Sequence, residues 1–379
     1  MNILFSLIFL ISVIVVSIFM VKYFIHLALK SFGNLAKYKR ELKILYAPIF
    51  LTFFLFSNRS MEGSYALTLF SVTLYTYFTF IFIFFLYGLL IELFILIRKL
   101  FKNAYSKELP AFKRKLMFLV LFLIAFHTVA TGFFLAEKIE VVSLKIESPK
   151  VEKQTKIVQL SDIHFSAVTG APFAEKIVET VNHLKPDIII NTGDYVDSGL
   201  LEPDKVIKTM NSMNAPLGKF TITGNHEFIG NYTNSKEFVE NSGFKLIDNE
   251  ISNLPGNISL IAVSDKVGKR RGVKPAEDLE ILKKADPAKF NIFLKHQPKI
   301  KKGAHKLFDL MLSGHTHAGQ IVPFNIFVKM AFRYCRGTYK LKSGSKIHVS
   351  RGTGTWGPPI RFGANPEITL IELFPSTTN

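Results

Sequence analysis

Cysteine is almost absent from this chain. There is one in 379 residues, Cys335, so no intrachain disulfide can form and cysteine usage leaves the redox compartment open. Tryptophan also occurs once, as Trp356. Acidic residues are scarce beside basic ones, 29 against 47, which leaves a formal charge of +18. That excess is not laid out as nucleic-acid binding would require, and no nucleic-acid partner is expected. Residues 1–138 carry +10, placed between long apolar runs, and residues 139–379 carry +8. The first excess belongs to membrane topology, because basic loops stay in the cytoplasm. The second is a mild preference for an anionic substrate or surface. Internal repeats are lacking, and so is low complexity beyond the Phe and Leu richness of the first part.

No cleavable secretory signal is expected either. Ile3–Met20 is apolar and free of charge, with no charged start and no small-residue cleavage site, so it reads as an uncleaved span. Ile44–Phe56 is a second run, short against the roughly 20 residues a span needs. Tyr65–Ile97, broken near its end by Glu92, is the third, and Leu116–Ala136, with His127 inside it, is the fourth. Residues 1–138 are therefore expected to form a membrane domain of about four transmembrane helices. The segments 22–43 and 98–115 hold six and seven Lys or Arg, whereas the segment before the third run holds only Arg59. Loop 98–115 is then cytoplasmic, and the last span delivers Glu137 and all later residues to the outside, whether or not Ile44–Phe56 crosses. Glu92 near the cytoplasmic end and His127 read as interfacial and packing residues rather than as a transport path.

From residue 139 onward the pattern alternates strand and helix. Strands are expected at Lys156–Leu160, Asp187–Asn191, Lys219–Thr223, Phe244–Ile247, Ile258–Val263, Phe290–Lys295, Leu310–Ser313, Lys346–Ser350 and Glu367–Phe374. Helices are expected at Pro172–Leu184, Pro203–Met213, Ser235–Asn241 and Pro275–Lys284. This is an α/β layered fold. The late clustering of strands points to two packed sheets.

Five polar motifs stand directly after apolar runs: Asp162-Ile163-His164, Gly193-Asp194, Gly224-Asn225-His226-Glu227, Lys295-His296-Gln297 and Gly314-His315-Thr316-His317. Strand ends are where α/β proteins place their sites. Asp162 and His164, like His315 and His317, are two residues apart and point the same way on an extended segment. Gly193 lets the backbone of Asp194 approach closely. A central lone carboxylate can bridge two ions, and Asn225 adds a neutral oxygen. Carboxylate, amide oxygen and imidazole without thiolate favour manganese, iron or zinc. Any one motif is weak, since a lone His-x-His is more often structural. Their order and shared position give the set its weight, and the leading reading is a hydrolase of phosphate esters.

These motifs resemble the ordered signature of the calcineurin-like metallophosphoesterase superfamily over roughly residues 154–375. Apolar spans ahead of the domain, with a tail of the kind Ser350-Arg351-Gly352-Thr353-Gly354-Thr355 and Ile360-Arg361-Phe362-Gly363, are similar to its membrane-associated bacterial subgroup. The resemblance implies a four-layer sandwich, two mixed β-sheets flanked by helices, as a domain of residues 139–379. It implies two divalent metal ions, one held by Asp162, His164, Asp194 and His317, the other by Asp194, Asn225, His296 and His315. It makes His226 a group that faces the phosphate and stabilises or protonates the departing oxygen, with Asp194 also at the catalytic centre. Glu227 would orient that histidine or its neighbours and Asp197 would buttress the turn. Glu227 stands where several relatives have Asp. Hydrolysis would proceed through a water shared and activated by the two ions.

Arg351 and Arg361, with Trp356 between them, are candidates for holding substrate phosphate, although pairing with local acids is equally open. The expected enzyme is a metal-dependent phosphodiesterase or phosphatase, multi-pass in a bacterial inner (cytoplasmic) membrane and facing the extracytoplasmic side. Its substrates would be phosphate esters, lipid-linked ones among them. The alternative is a transporter or receptor-like membrane protein with a regulatory phosphate-binding metal domain, but four spans with few polar residues offer little path. The sequence leaves native metal, leaving group and oligomeric state open.

Overall fold

The computed structural model describes residues 3–51, 63–102 and 109–376. They separate into two compact units, drawn from residues 1–59 with 69–132 and from 60–68 with 133–379.

The first unit is built on long helices. These are α1 (Ile3–Ser31), α2 (Tyr65–Lys102) and α3 (Ala111–Ala136), whose last residues pass into the second unit. Three stretches of them are long and apolar enough to cross a membrane: Ile11–Ser31, Tyr65–Phe101 and Ala111–Ala136. Large apolar side chains such as Phe19, Leu69, Phe94 and Phe126 face outward, which suits a lipid environment. α1 runs past its expected end at Met20, through Lys22 and Lys30, because lysine is a good helix former whose long stem can carry its charge to an interface. Glu92 accepts a hydrogen bond from the Tyr23 hydroxyl at 3.0 Å. The run Ile44–Phe56 begins inside a 3₁₀ helix, Glu41–Tyr46, and stays helical to residue 51; residues 52–56 lie outside the described residues.

The second unit holds two mixed six-stranded sheets. The first contains β1 (Glu140–Ser148), β2 (Thr155–Leu160), β3 (Ile188–Asn191), β4 (Lys219–Thr221), β5 (Lys245–Leu246) and β12 (Glu367–Pro375), in the order β1-β12-β2-β3-β4-β5. The second contains β6 (Ile251–Leu254), β7 (Ile258–Ala262), β8 (Phe290–Leu294), β9 (Leu310–Ser313), β10 (Gly337–Lys340) and β11 (Lys346–Val349), in the order β10-β11-β9-β8-β7-β6. β2, β3 and β4 run parallel, as do β7, β8, β9 and β11.

The central strands are apolar on both faces, and the two-residue period sorts their side chains into layers. Ile157, Ile188 and Ile190 of the first sheet pack between the sheets with Leu260, Ile292, Leu294, Leu310 and Leu312 of the second. The alternate residues face outward. Val158, Leu160 and Ile189 meet α4 (Ala171–Leu184) and α5 (Pro203–Asn211) through Phe173, Ile177, Val181, Val206 and Met210. Ile261, Phe293 and Met311 meet Ile281 and Leu282 of α8 (Asp278–Leu282), a helix shorter than the expected Pro275–Lys284. Each fully buried aliphatic or aromatic side chain contributes about 1.5–3 kcal/mol, so the sandwich is held mainly by these three apolar layers. α4 begins with Pro172 in its first turn, buries Ala171, Ala174, Ile177, Val178 and Val181 on one face, and stops at Lys185, which takes a left-handed conformation.

The sequence leaves several elements unassigned: β1, β6, β10, the short helix α6 (His226–Ile229) and α9 (Phe324–Ala331). α7 (Tyr232–Asn241) starts a turn earlier than expected, with the Asn231 side chain accepting from the Asn234 backbone N–H.

Candidate metal centre

The polar segments that leave β2, β3, β4, β8 and β9 contact one another. The backbone N–H of His315, after β9, donates to both Asp162 carboxylate oxygens, after β2, at 2.9 and 3.0 Å. The N–H of His226 donates to Asp194 Oδ1 at 2.8 Å. The two sheets are thus stitched at the motif residues themselves.

The expected extended alternation does not bring Asp162 and His164 together. Both lie in the left-handed region, at φ 52° and 53°, as do Asp194 at 54°, His315 at 70° and His317 at 46°. Such a conformation is uncommon for residues other than glycine and costs about 1–3 kcal/mol each where the fold enforces it. Each strand end hooks, and the hook aims the side chain inward. Backbone bonds hold the hooks: Asp162 N–H donates to Gly193 O at 2.9 Å and His164 N–H to Asp194 O at 3.1 Å.

The ligand atoms then crowd into three overlapping groups, each within 4.8 Å: Asp162, His164 and His317; His164, Asp194 and His226; Asp194, His296 and His315. His164 Nε2 lies 3.1 Å from His317 Nε2 and 3.8 Å from Asp194 Oδ2. His296 Nε2 lies 3.1 Å from Asp194 Oδ2 and 3.2 Å from His315 Nδ1. Asp194 belongs to two of the groups, so one carboxylate stands between the two histidine pairs.

The donor set fits divalent cations. His296 Nδ1–H is committed to the carbonyl of Thr192 at 2.8 Å, so its Nε2 faces Asp194 and His315; burial opposes a proton there, but Asp194 raises the pKa of the ring well above the ordinary histidine value, so a proton holds the place a cation would take. Lone pairs at such distances repel unless a proton or a cation lies among them. Asn225 Oδ1 is buried without any hydrogen-bond partner. An unpaired buried carbonyl costs about 1–3 kcal/mol, a cost a cation would remove. Burial, and then the neighbouring His164 and Arg361, hold His317 well below the ordinary histidine range. Burial and His296 push His315 down to about 3. Both rings are therefore neutral, the form that binds metal. Burial opposes ionisation of Asp194, yet His296 and His226 hold its pKa well below the usual value.

The remaining expected residues have distinct places. Asp197 joins two histidines: His164 Nδ1–H donates to its Oδ2 at 3.1 Å and His226 Nδ1–H to its Oδ1 at 2.7 Å. It orients both rings as well as closing the turn. Glu227 does not touch the His226 ring. It accepts backbone N–H bonds from Gly224 at 2.7 Å, Asp194 at 3.2 Å and Tyr195 at 2.6 Å, pinning the backbone that carries Asp194. Arg351 and Arg361 do not face an open site. Arg351 Nε donates to Glu367 at 2.6 Å and Nη2 to Glu140 at 3.0 Å, so local acids claim it. Arg361 is fully buried and donates to the carbonyls of Arg351 at 2.8 Å and Ala364 at 3.0 Å, with Nη2 3.2 Å from His317 Nδ1. Cys335 is buried and free. Sequence reasoning missed Thr192, whose contribution is a backbone carbonyl, and Gln320, which holds the Trp356 backbone; neither carries a local signal.

The family model for calcineurin-like phosphoesterases matches residues 155–319. An uncharacterized metallophosphoesterase of Aquifex aeolicus (strain VF5) is 36% identical over 262 residues, covering 68% of this chain and 98% of that protein. The chain belongs to the calcineurin-like metallophosphoesterase family. It is thus a phosphoesterase, a hydrolase with divalent metal as cofactor, and its three candidate spans support membrane association. An uncharacterized metallophosphoesterase of Helicobacter pylori (strain J99) is 37% identical over 229 residues, 60% of this chain and 61% of that protein. A Danio rerio protein named transmembrane protein with metallophosphoesterase domain is 29% identical over 256 residues, 63% of this chain and 58% of that protein. The phosphoesterase therefore matches only about three fifths of the length of these last two relatives.

Packing around the centre sets two expected results. A Cβ on Gly224 would lie 2.8 Å from Asp194 Cγ and 2.6 Å from Asp194 N. Gly224→Ala should displace that carboxylate and lower metal affinity by about 10–100-fold, as disturbed ligand supports do, while circular dichroism stays near that of the parent. Metal content after dialysis reads the difference.

Glu367 is the second case. Burial alone would raise its pKa, but His348 and Arg351 bring it from the ordinary 4.5 down to about 2. The folded value lies below the unfolded one, so the stabilisation is whole above about 4.5 and is lost as pH falls toward 2. Glu367→Gln should cost on the order of 3 kcal/mol of stability at pH 7, seen as a lower melting temperature, and should flatten the fall of that temperature between pH 5 and 3. An unchanged melting curve would contradict the pairing.

Proposed function

We propose that the chain is a membrane-anchored dinuclear-metal phosphoesterase acting on phosphodiester or lipid-linked substrates. The observation that carries this reading is the sharing of Asp194 between two ligand groups. Asp162, His164, Asp194 and His317 would hold one divalent ion, and Asp194, Asn225, His296 and His315 a second. When bound, the ions supply Lewis acidity toward phosphate oxygens and acidify a water near neutral pH.

The protein's own residues do the rest. Asp197 takes the Nδ1–H of His226, which leaves Nε2 free to face a substrate, and the side chain is 16% exposed. Burial opposes protonation of His226, but Asp194 and Asp197 raise its pKa to about 9. In the metal-free protein it is an imidazolium at neutral pH. As the bond from phosphorus to the leaving oxygen breaks, Nε2–H gives its proton to that oxygen, and Asp197 stabilises the cation until then. Asp194 stays ionised, and Glu227 fixes its backbone against movement.

Because the acid form is lost as pH rises through the pKa of His226, turnover should fall on the alkaline side, at or below about 9. Bound cations draw that limb lower, since like charge disfavours the imidazolium. A scan of kcat against pH for parent and His226→Gln checks this. The variant should lose the limb.

The basic loops give the setting: a multi-pass protein of a bacterial cytoplasmic membrane, with the phosphoesterase on the extracytoplasmic side. Protease treatment of intact cells, compared with lysed cells, tests the orientation. The activity is tested with purified full-length protein and manganese on bis(p-nitrophenyl) phosphate and p-nitrophenyl phosphate. Faster diester cleavage supports the reading. Hydrolysis of neither substrate with manganese, iron or zinc would sink it.

A further inference from the structure

We propose that helix α9 and Trp356 form a second, peripheral contact between this protein and an anionic lipid bilayer, at the mouth of the metal centre. α9 buries none of its eight residues. Phe324, Ile326, Phe327 and Met330 are 45, 56, 60 and 79% exposed, and Val322 just before the helix is 37% exposed. Side chains of this size are less stable in water than in hydrocarbon. Clustered on one short element they mark a contact surface.

Trp356, 56% exposed, extends the ridge. Its backbone N–H donates to Gln320 Oε1 at 2.9 Å, and Gln320 Nε2 donates back to its carbonyl at 3.0 Å, which ties it to the segment that enters α9. The ridge flanks the metal centre on two sides. The Trp356 ring meets His226 edge-on at 5.9 Å, and Phe332, just past α9, meets His315 at 5.4 Å.

Charge selects the partner. From residue 310 to residue 366 the chain has no Asp or Glu and eight Lys or Arg. Lys329, Arg333 and Arg336 are exposed on α9 or just beyond it, and Lys299 lies 4.6 Å over the Phe332 ring. Exposed rings edged by basic side chains suit the headgroup region of a bilayer. There the rings enter the acyl boundary, and the cations meet anionic headgroups. A second copy of the chain seated on this face would set the same cations against one another. At about 12 Å the helix is too short to cross a membrane and lies along its surface. The chain's candidate spans place it beside a bilayer in any case. The surface stands on exposure and charge, so it does not depend on the proposed activity.

Trp356 is the only tryptophan in the chain, so its fluorescence reports this contact alone. Full-length protein is reconstituted in vesicles of phosphatidylcholine and phosphatidylglycerol, with and without lipid brominated near the headgroup end of its acyl chains. The expected result is loss of Trp356 emission with brominated lipid. A Phe327→Glu/Met330→Glu protein should recover that emission and cleave soluble bis(p-nitrophenyl) phosphate at the parent rate. Equal emission in both vesicle types, with full quenching by soluble acrylamide, would overturn the proposal. So would quenching that the double variant leaves unchanged, or cross-links between copies through α9 with the brominated lipid silent. If no form hydrolyses the diester, the proposed activity fails while the fluorescence still decides the surface.

Discussion

Asp194→Asn should lower turnover by ~10³-fold or more, the equivalent of losing several kcal/mol of metal-borne stabilisation, while leaving the sandwich folded. Asp194 is almost fully buried and shared by two ligand groups, so its loss touches both histidine pairs at once. Asparagine keeps its volume. The carbonyl oxygen can still accept the His226 N–H bond that Asp194 Oδ1 now accepts at 2.8 Å. What disappears is the negative charge facing His296 Nε2 at 3.1 Å and His164 Nε2 at 3.8 Å. The neutral amide would lack the charge with which the carboxylate would hold cations. Circular dichroism and melting temperature near the parent, with turnover near background, would separate this from unfolding. Near-parent turnover with manganese would remove Asp194 from the centre.

His226→Ala should cost about 10²–10⁴-fold with an alkyl leaving group and far less with p-nitrophenolate, because general-acid help matters in proportion to leaving-group basicity. His226 belongs to a ligand group only through His164 and Asp194, while its own Nδ1 is spent on Asp197. In the proposed reaction its work is proton delivery, so metal content in the variant should stay at the parent level. Asp197→Ala should weaken the same step and loosen His164 as well, since one carboxylate holds both rings at 3.1 and 2.7 Å. If His226→Ala slowed alkyl and p-nitrophenyl esters equally, the proton-donor role would fall and substrate binding would take its place.

Much of this could be read from residue order. β2, β3, β8 and β9 are short runs, apolar on both faces, and each ends in Asp, His or a Gly-Asp pair, so both the buried strands and the polar ends were legible. The hooks were not. Nothing in Asp162-Ile163-His164 announces left-handed backbone, and the expected extended alternation is replaced by hooks at both residues. β1 was missed because its residues are only half buried along most of their length and it pairs with β12, at the far end of the chain. Arg351 looked like a phosphate ligand because its partners, Glu140 and Glu367, are brought to it by that pairing of distant strands. α9 has strong apolar content but buries none of its eight residues, and propensity does not say what an exposed helix faces.

The most direct test of the central claim is electron paramagnetic resonance of the manganese-loaded protein, alongside metal analysis of the same sample. Two ions per chain and the broadened spectrum of an exchange-coupled pair are expected, with Asp194→Asn reduced to uncoupled signals. One ion per chain with a simple six-line spectrum, unchanged by Asp194→Asn, would contradict it.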